Sequence, residues 1–310
     1  MLRGDWQAGA CVFAALYTPD DAWRAAPARR WLRVADALAA APAASLSGAA
    51  GLLSRAGMWE ESALLAEPGR LAWGESLIAC GRVLTPFDPR YPSGWLDALG
   101  SGAPPALWVS GTLPSRPLVG VVGSRVLPLP AQRLARGIGA FLVGSGRGVV
   151  SGGAWGADRL GVAGAVSAGG GCSVEILPCG LGCADASSAS ARLSPWPPNA
   201  AFSGPRAMAR NRLIYAWSRQ AVVVHARYGA GGTWGGAVDA LRRGLGQVIV
   251  ADWGDAASAA LCALGGVSLS CGPGWQAGLE FALRQPLAAA QPDLFGFGVV
   301  REPVCRYRTA

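Results

Sequence analysis

Apolar residues along this chain follow two regimes. Up to about residue 80 they recur at helical spacing, as in Trp31, Val34 and Leu38 and again in Leu52, Leu53 and Met58, with Pro42 and Gly48 as interruptions. From Pro117 onward, short apolar runs rich in β-branched residues alternate with helix-length stretches. The runs are 118–122, 148–150, 172–177, 221–224 and 247–250; the helical stretches between them are 131–143, 157–168, 208–217 and 233–243. Runs with almost no polar alternation predict strands buried on both faces, hence a mostly parallel sheet with helices on both sides and right-handed crossovers. Two more helices are expected at 256–264 and 275–283.

This pattern divides the chain into four parts. Residues 1–81 read as a small helical domain and 82–116 as an ordered connector dense in proline, glycine and aromatics; 117–285 read as a Rossmann-like α/β domain and 286–310 as a tail without periodicity.

Composition then narrows the chemistry. All 27 basic residues are arginine, and His225 is the single histidine. A Walker P-loop and Schiff-base chemistry need a lysine, and H-E-x-x-H zinc sites need two imidazoles, so all are excluded. There is no G-x-S-x-G nucleophile elbow. The eight cysteines lack C-x-x-C pairing; Cys172, Cys179 and Cys183 come nearest to a cluster, and small buried thiols are the expectation over a metal site. No G-x-G-x-x-G follows a strand in the right context, so no cofactor is expected. The start lacks the form of a signal peptide and no apolar stretch is long enough to span a bilayer, which points to the cytoplasm. A net charge of +8 fits either an anionic partner or a solvated surface on which arginine replaces lysine.

In parallel sheets ligands sit where strands turn into helices, because helix N-termini expose unpaired N–H groups there. Four such places stand out: Gly123-Ser124-Arg125 after the first strand; Ser151-Gly152-Gly153 after the second, with Asp158 opening the next helix; Arg206 and Arg210 at i, i+4 with Asn211 and Arg212 beside them; and Gly231-Gly232-Thr233 after the fourth strand. Taken singly, each has a plain structural reading, as backbone geometry, a cap, a helix-dipole partner or a solvated face. Together they describe a pocket for negative oxygen atoms, with Trp155 or Trp234 available for stacking bases.

The ordered set VVGSR (121–125), SGGAWGAD (151–158), ARNRLI (209–214) and GAGGT (229–233) resembles the DNA processing protein A (DprA/Smf) family, and FDPRYPSGWLDAL with PPALWVSGTL resembles the family's approach to its first strand. The resemblance covers roughly residues 82–255. It implies a Rossmann-like, non-catalytic, single-stranded DNA-binding protein, homodimeric, that hands incoming strands to the recombinase RecA during natural transformation. Ser124, Arg125, Ser151, Gly152, Arg210 and Arg212 would surround the phosphates, with Asp158 in support, and the helical domain would match a sterile-alpha-motif-like region. The sequence departs from the family's habit at Gly161-Val162, at His225 and at Ala230 to Thr233, has no lysine, and shows no winged-helix segment after the sheet. The alternative is a nucleotide-binding or phosphoribohydrolase-like protein, whose glycine-rich signature requires a glutamate soon after it. Trp234, Gly235, Gly236 and Ala237 provide none.

Overall fold

The computed structural model describes residues 6–17, 31–39, 48–92, 94–169 and 171–286, so Pro42 and all of the tail except Pro286 lie outside the described residues. The chain forms two compact units. The first comprises residues 1–111 with the segments 179–184 and 193–202. Its helices are α1 (Trp6–Leu16), α2 (Trp31–Ala39), α3 (Ala49–Arg55), α4 (Trp59–Ala66) and α5 (Arg70–Ala79), followed by β1 (Val83–Leu84), α6 (Gly94–Leu99) and β2 (Leu107–Gly111). β1 and β2 pair antiparallel, with Val83 opposite Trp108. The stretch read from sequence as a connector therefore has strands of its own, and its Val83, Ala106 and Trp108 share one core with Ala10, Phe13 and Tyr17 of the first helix region and Ile78 of α5. Phe13 stacks on Tyr17 at 4.9 Å and on Trp73 at 5.0 Å, and Trp108 meets Tyr17 edge-on at 5.1 Å.

The second unit holds β3 (Leu118–Val122), α7 (Leu129–Gly144), β4 (Gly148–Ser151), α8 (Ala157–Ser167), β5 (Ser173–Ile176), α9 (Gly204–Ser218), β7 (Gln220–Val223), α10 (Gly231–Arg243), β8 (Gln247–Asp252), α11 (Ala256–Ala263), β9 (Val267–Ser270) and α12 (Trp275–Arg284); β6 (Ala191–Ser194) begins in it. Its strands run in the order β5-β4-β3-β7-β8-β9, and every pairing among them is parallel. All five residues of β3 are buried, as a strand covered on both faces requires. Val119 and Val121 point into a core with α7, α8 and α12, whereas Gly120 between them faces Ser218 of α9, so helices cover both sides. α7 and α8 approach so closely that a Cβ on Gly139 would lie 1.9 Å from the Gly161 carbonyl oxygen. That explains Gly139, where any side chain would force the two helices apart; a Cβ on Gly161 would instead fall 2.7 Å from Val121 Cγ1, so glycine there lets α8 lie close on β3.

The strands predicted from apolar runs all form. β9 escaped prediction because its Val-Ser-Leu-Ser alternation belongs to a strand at the end of this order, buried on one side only at Leu269. α9 begins at Gly204, ahead of the periodic stretch, because Ser203 caps it by accepting a bond from the Arg206 N–H at 3.3 Å.

The path through the sheet decides where a ligand can sit. From β3 the chain steps outward to β4 and β5, then returns to the other flank of β3 as β7 and steps away through β8 and β9. The loops leaving β3 and β7 thus diverge, opening a crevice beyond the carboxyl ends of these two neighbours.

Candidate functional site

A cleft of about 510 Å³ opens at that switch point. Four elements line it: the turn after β3 (Gly123, Ser124, Arg125), the approach to α8 (Ala154, Asp158), one stripe of α9 (Ala207, Arg210, Asn211, Tyr215), and the loop from β7 into α10 (Arg227, Ala230, Gly231, Gly232, Thr233).

The inner wall is built around a buried ion pair. Arg210 and Asp158 are each only 5% exposed, with Nη1 and Oδ2 3.9 Å apart. Arg210 Nη1 also donates to the Ile176 carbonyl at the end of β5, at 3.1 Å. Asp158 Oδ2 accepts from the N–H of Gly152 at 3.1 Å and of Ala154 at 3.4 Å. The guanidinium lies directly over Gly152, where a Cβ would fall 1.4 Å from Nη1, so glycine there is a requirement of the arginine's position. Burial pushes the Asp158 carboxyl up to about 6, opposed by Arg210 and the two backbone donors and reinforced by the nearby Glu175 carboxylate.

The outer wall is more open. Ser124 donates its backbone N–H to the His225 carbonyl at 2.9 Å, and its hydroxyl lies 3.2 Å from both that carbonyl and the His225 Nδ1. The single histidine thus holds the turn after β3 against the end of β7. Arg125 and Arg227 are exposed at the mouth of the cleft. α10 starts with Ala230 at its N-cap, which carries no side-chain acceptor, and has no acid in its first turn. Gly231, Gly232 and Thr233 line the cleft, and as the first residues of α10 their N–H groups have no intrahelical acceptor. Asn211 secures this helix start by donating Nδ2 to the Gly232 carbonyl at 3.1 Å.

Gly123, Ser124, Arg125, Asp158, Arg210, Asn211, Gly231 and Gly232 of the residues expected from sequence line the cleft, and Gly152 lies beneath the Arg210 guanidinium. Four others are placed elsewhere. Ser151 is fully buried and donates its hydroxyl to the Val121 carbonyl at 2.7 Å, tying β4 to β3. Gly153 packs against the Glu175 carboxylate. Arg206 lies outside the lining of the cleft, and the charge beside Arg210 is Asp158. Arg212 faces α10, where its Nε meets Asp239 Oδ2 at 2.7 Å beside Arg243. The stripe facing the cleft runs 207, 210, 211, 215, which leaves Arg206 and Arg212 on its flanks. Arg227 and Tyr215 were not anticipated. The position of Arg227 just after the strand at the switch point is the signal that could have found it.

The described residues contain no group of three or more histidine, cysteine, aspartate or glutamate side chains suited to a metal ion, and no helix among them is long and apolar enough to cross a membrane. No curated protein matches the chain in sequence. Among solved structures, it is similar to DNA processing protein A (DprA) from Streptococcus pneumoniae, at TM-score 0.63 and 19% identity over 86% of this chain and 95% of that one. It is also similar to DNA processing protein A from Helicobacter pylori, a protein described by its single-stranded DNA binding mode, at TM-score 0.52 and 20% identity over 59% of this chain and 88% of that one. The family profile of DNA recombination-mediator protein A matches residues 82–252, more than half of the chain and the span that carries every element of the cleft. The chain belongs to the DNA recombination-mediator protein A family.

Proposed function

We propose that this protein binds single-stranded DNA as a recombination mediator, holding backbone phosphates in the cleft at the β3–β7 switch point. The observation that carries this reading is the convergence of Arg125, Arg210 and Arg227 with the acid-free start of α10 in one cleft. Guanidinium forks and bare peptide N–H groups bind phosphate oxygens without regard to base identity. Bases would stack on the Tyr228–Trp234 pair, whose rings lie 5.0 Å apart beside the α10 loop and whose Tyr228 is 63% exposed. Trp155, 66% exposed, offers a second stacking surface, with the Arg159 guanidinium over one face of its ring at 4.0 Å.

The family is one of DNA-binding proteins and not of enzymes. Hydrolysis of nucleotides would need an acid at the start of α10, which that helix lacks, and the carboxylate in the cleft, Asp158, is engaged by two N–H donors and Arg210. A homodimeric state, transfer of the strand to RecA in the cytoplasm and a role in DNA uptake complete the reading, on the strength of the family resemblance.

Titration of an oligo-dT strand at several salt concentrations tests this. Affinity should fall steeply with salt, and the Arg125→Ala, Arg227→Ala double variant should bind more weakly and lower the log–log salt slope by about 0.7 for each phosphate that is no longer neutralised. A flat salt response, or unchanged binding by the double variant, would remove the cleft from DNA binding.

A further inference from the structure

Tyr215 occupies the inner end of the cleft and is only 2% exposed, yet its hydroxyl has no hydrogen-bond partner among the described residues. Leaving a buried hydroxyl unsatisfied is unfavourable, a cost that phenylalanine would avoid in the same space. Burial, with the Asp158 carboxylate nearby, pushes the phenol well above its ordinary range, so it stays protonated and can donate. The groups that line the cleft with it include strong donors: the Arg210 guanidinium on its own helix and the N–H groups at the start of α10. The one carboxylate lining the cleft already accepts from Gly152 and Ala154. A ligand that satisfies this set must bring several acceptor oxygens and few donors, which is the chemistry of phosphate.

We propose that the Tyr215 hydroxyl donates a hydrogen bond to a phosphate oxygen seated at the inner end of the cleft, making this end a phosphate subsite together with Arg210 and the first turn of α10. This rests on the DNA-binding reading and adds to it a neutral donor. The phosphate has two sources, a phosphodiester within a strand or a phosphomonoester at its end.

The test titrates the full chain, Tyr215→Phe and the Arg125→Ala, Arg227→Ala variant with 3′-labelled oligo-dT bearing either a 5′-phosphate or a 5′-hydroxyl, with inorganic phosphate as competitor, and records thermal unfolding of each protein. Tyr215→Phe should weaken binding by about tenfold while its Tm stays level or rises, since an unsatisfied buried hydroxyl has been removed. Equal weakening on both strands assigns the subsite to internal phosphodiesters; weakening confined to the 5′-phosphorylated strand assigns it to ends. Unchanged affinity of Tyr215→Phe for both strands and for inorganic phosphate overturns the proposal, as does a fall in Tm, which would mean that the hydroxyl has a partner inside the protein. If Tyr215→Phe binds normally while the double arginine variant does not, only the subsite is lost and the DNA-binding reading stands.

Discussion

The turns leading into α8 and α10 begin from the same materials and end in opposite states. Each follows a buried parallel strand, each is rich in glycine, and each delivers the positive end of a helix to the same cleft. At α8 the chain provides its own anion: Asp158, in the first helical turn, reaches back to accept the N–H groups of Gly152 and Ala154. At α10 no acid occupies the first turn and the N-cap is alanine. One turn is closed on itself and the other is left for a ligand. Glycine lets a backbone approach an anion, but whether an anion site results depends on whether the chain has already filled it.

The largest effect should come from breaking the closed turn. Arg210→Ala leaves Asp158 buried without its cation, and a loss of about 3–5 kcal/mol is expected in urea unfolding at pH 8. The loss should shrink at pH 5, where Asp158, with a carboxyl raised to about 6, carries a proton and needs no counter-charge. An equal loss at both pH values would mean that the pair is not what holds Arg210 in place.

Asp158 should shape the part of the wild-type pH profile that lies between its ordinary and its raised value. Its native carboxyl, at about 6, holds a proton more tightly than the ordinary value of 3.8, to which the unfolded chain is close. Between those values the folded state binds more protons, so stability falls as pH rises through this window and the fall is complete above it. The size is at most about 3 kcal/mol. Asp158→Asn should flatten this part of a urea-midpoint profile, and a variant that kept the slope would trace it to another group.

The open turn can be converted into a closed one. Ala230 already has the extended backbone of an N-cap, at φ −140° and ψ 146°. Ala230→Asp should therefore cap α10, raising stability by about 1 kcal/mol. The same carboxylate would occupy the N–H groups offered to phosphate, so DNA affinity should drop by roughly tenfold as Tm rises, the amount expected for losing one charge-assisted hydrogen bond. If affinity persisted, the start of α10 would have no part in binding.

The sheet could be read from the chain because its inner strands are buried and rich in apolar runs, and a strand such as β3, apolar from end to end, has no other stable home than between two layers of helices. The half-exposed β9 and the two-residue β1 leave too little pattern to be recognised. The cleft was legible as far as it depends on turns: glycines after strands, Arg125 beside one, Asp158 opening a helix. Side chains on α9 were harder, because one residue of rotation decides which stripe faces the ligand, and helical spacing alone does not fix that rotation. The reading built on Arg206 and Arg210 was centred off the stripe that runs through Ala207 and Tyr215. Tyr215 carried no signal at all, since an aromatic residue beside Leu213 and Ile214 looks like core until its hydroxyl is found without a partner.

Arg212, two residues beyond Arg210 on the same helix, gives the smallest expected effect and the most direct check on that rotation. Its side chain is 46% exposed and pairs with Asp239, which also holds Arg243 at 2.7 Å. These two arginines draw the Asp239 carboxyl below its ordinary range against the opposing effect of burial. Removing one arginine leaves the carboxylate with the other, so Arg212→Ala should cost less than about 1 kcal/mol. Because the side chain points away from the cleft, DNA affinity and its salt slope should stay at wild-type values, in contrast to the Arg125, Arg227 double variant. A loss of binding by Arg212→Ala comparable to that of the double variant would mean that the strand runs along the α9–α10 face as well, and that the cleft is only part of its path.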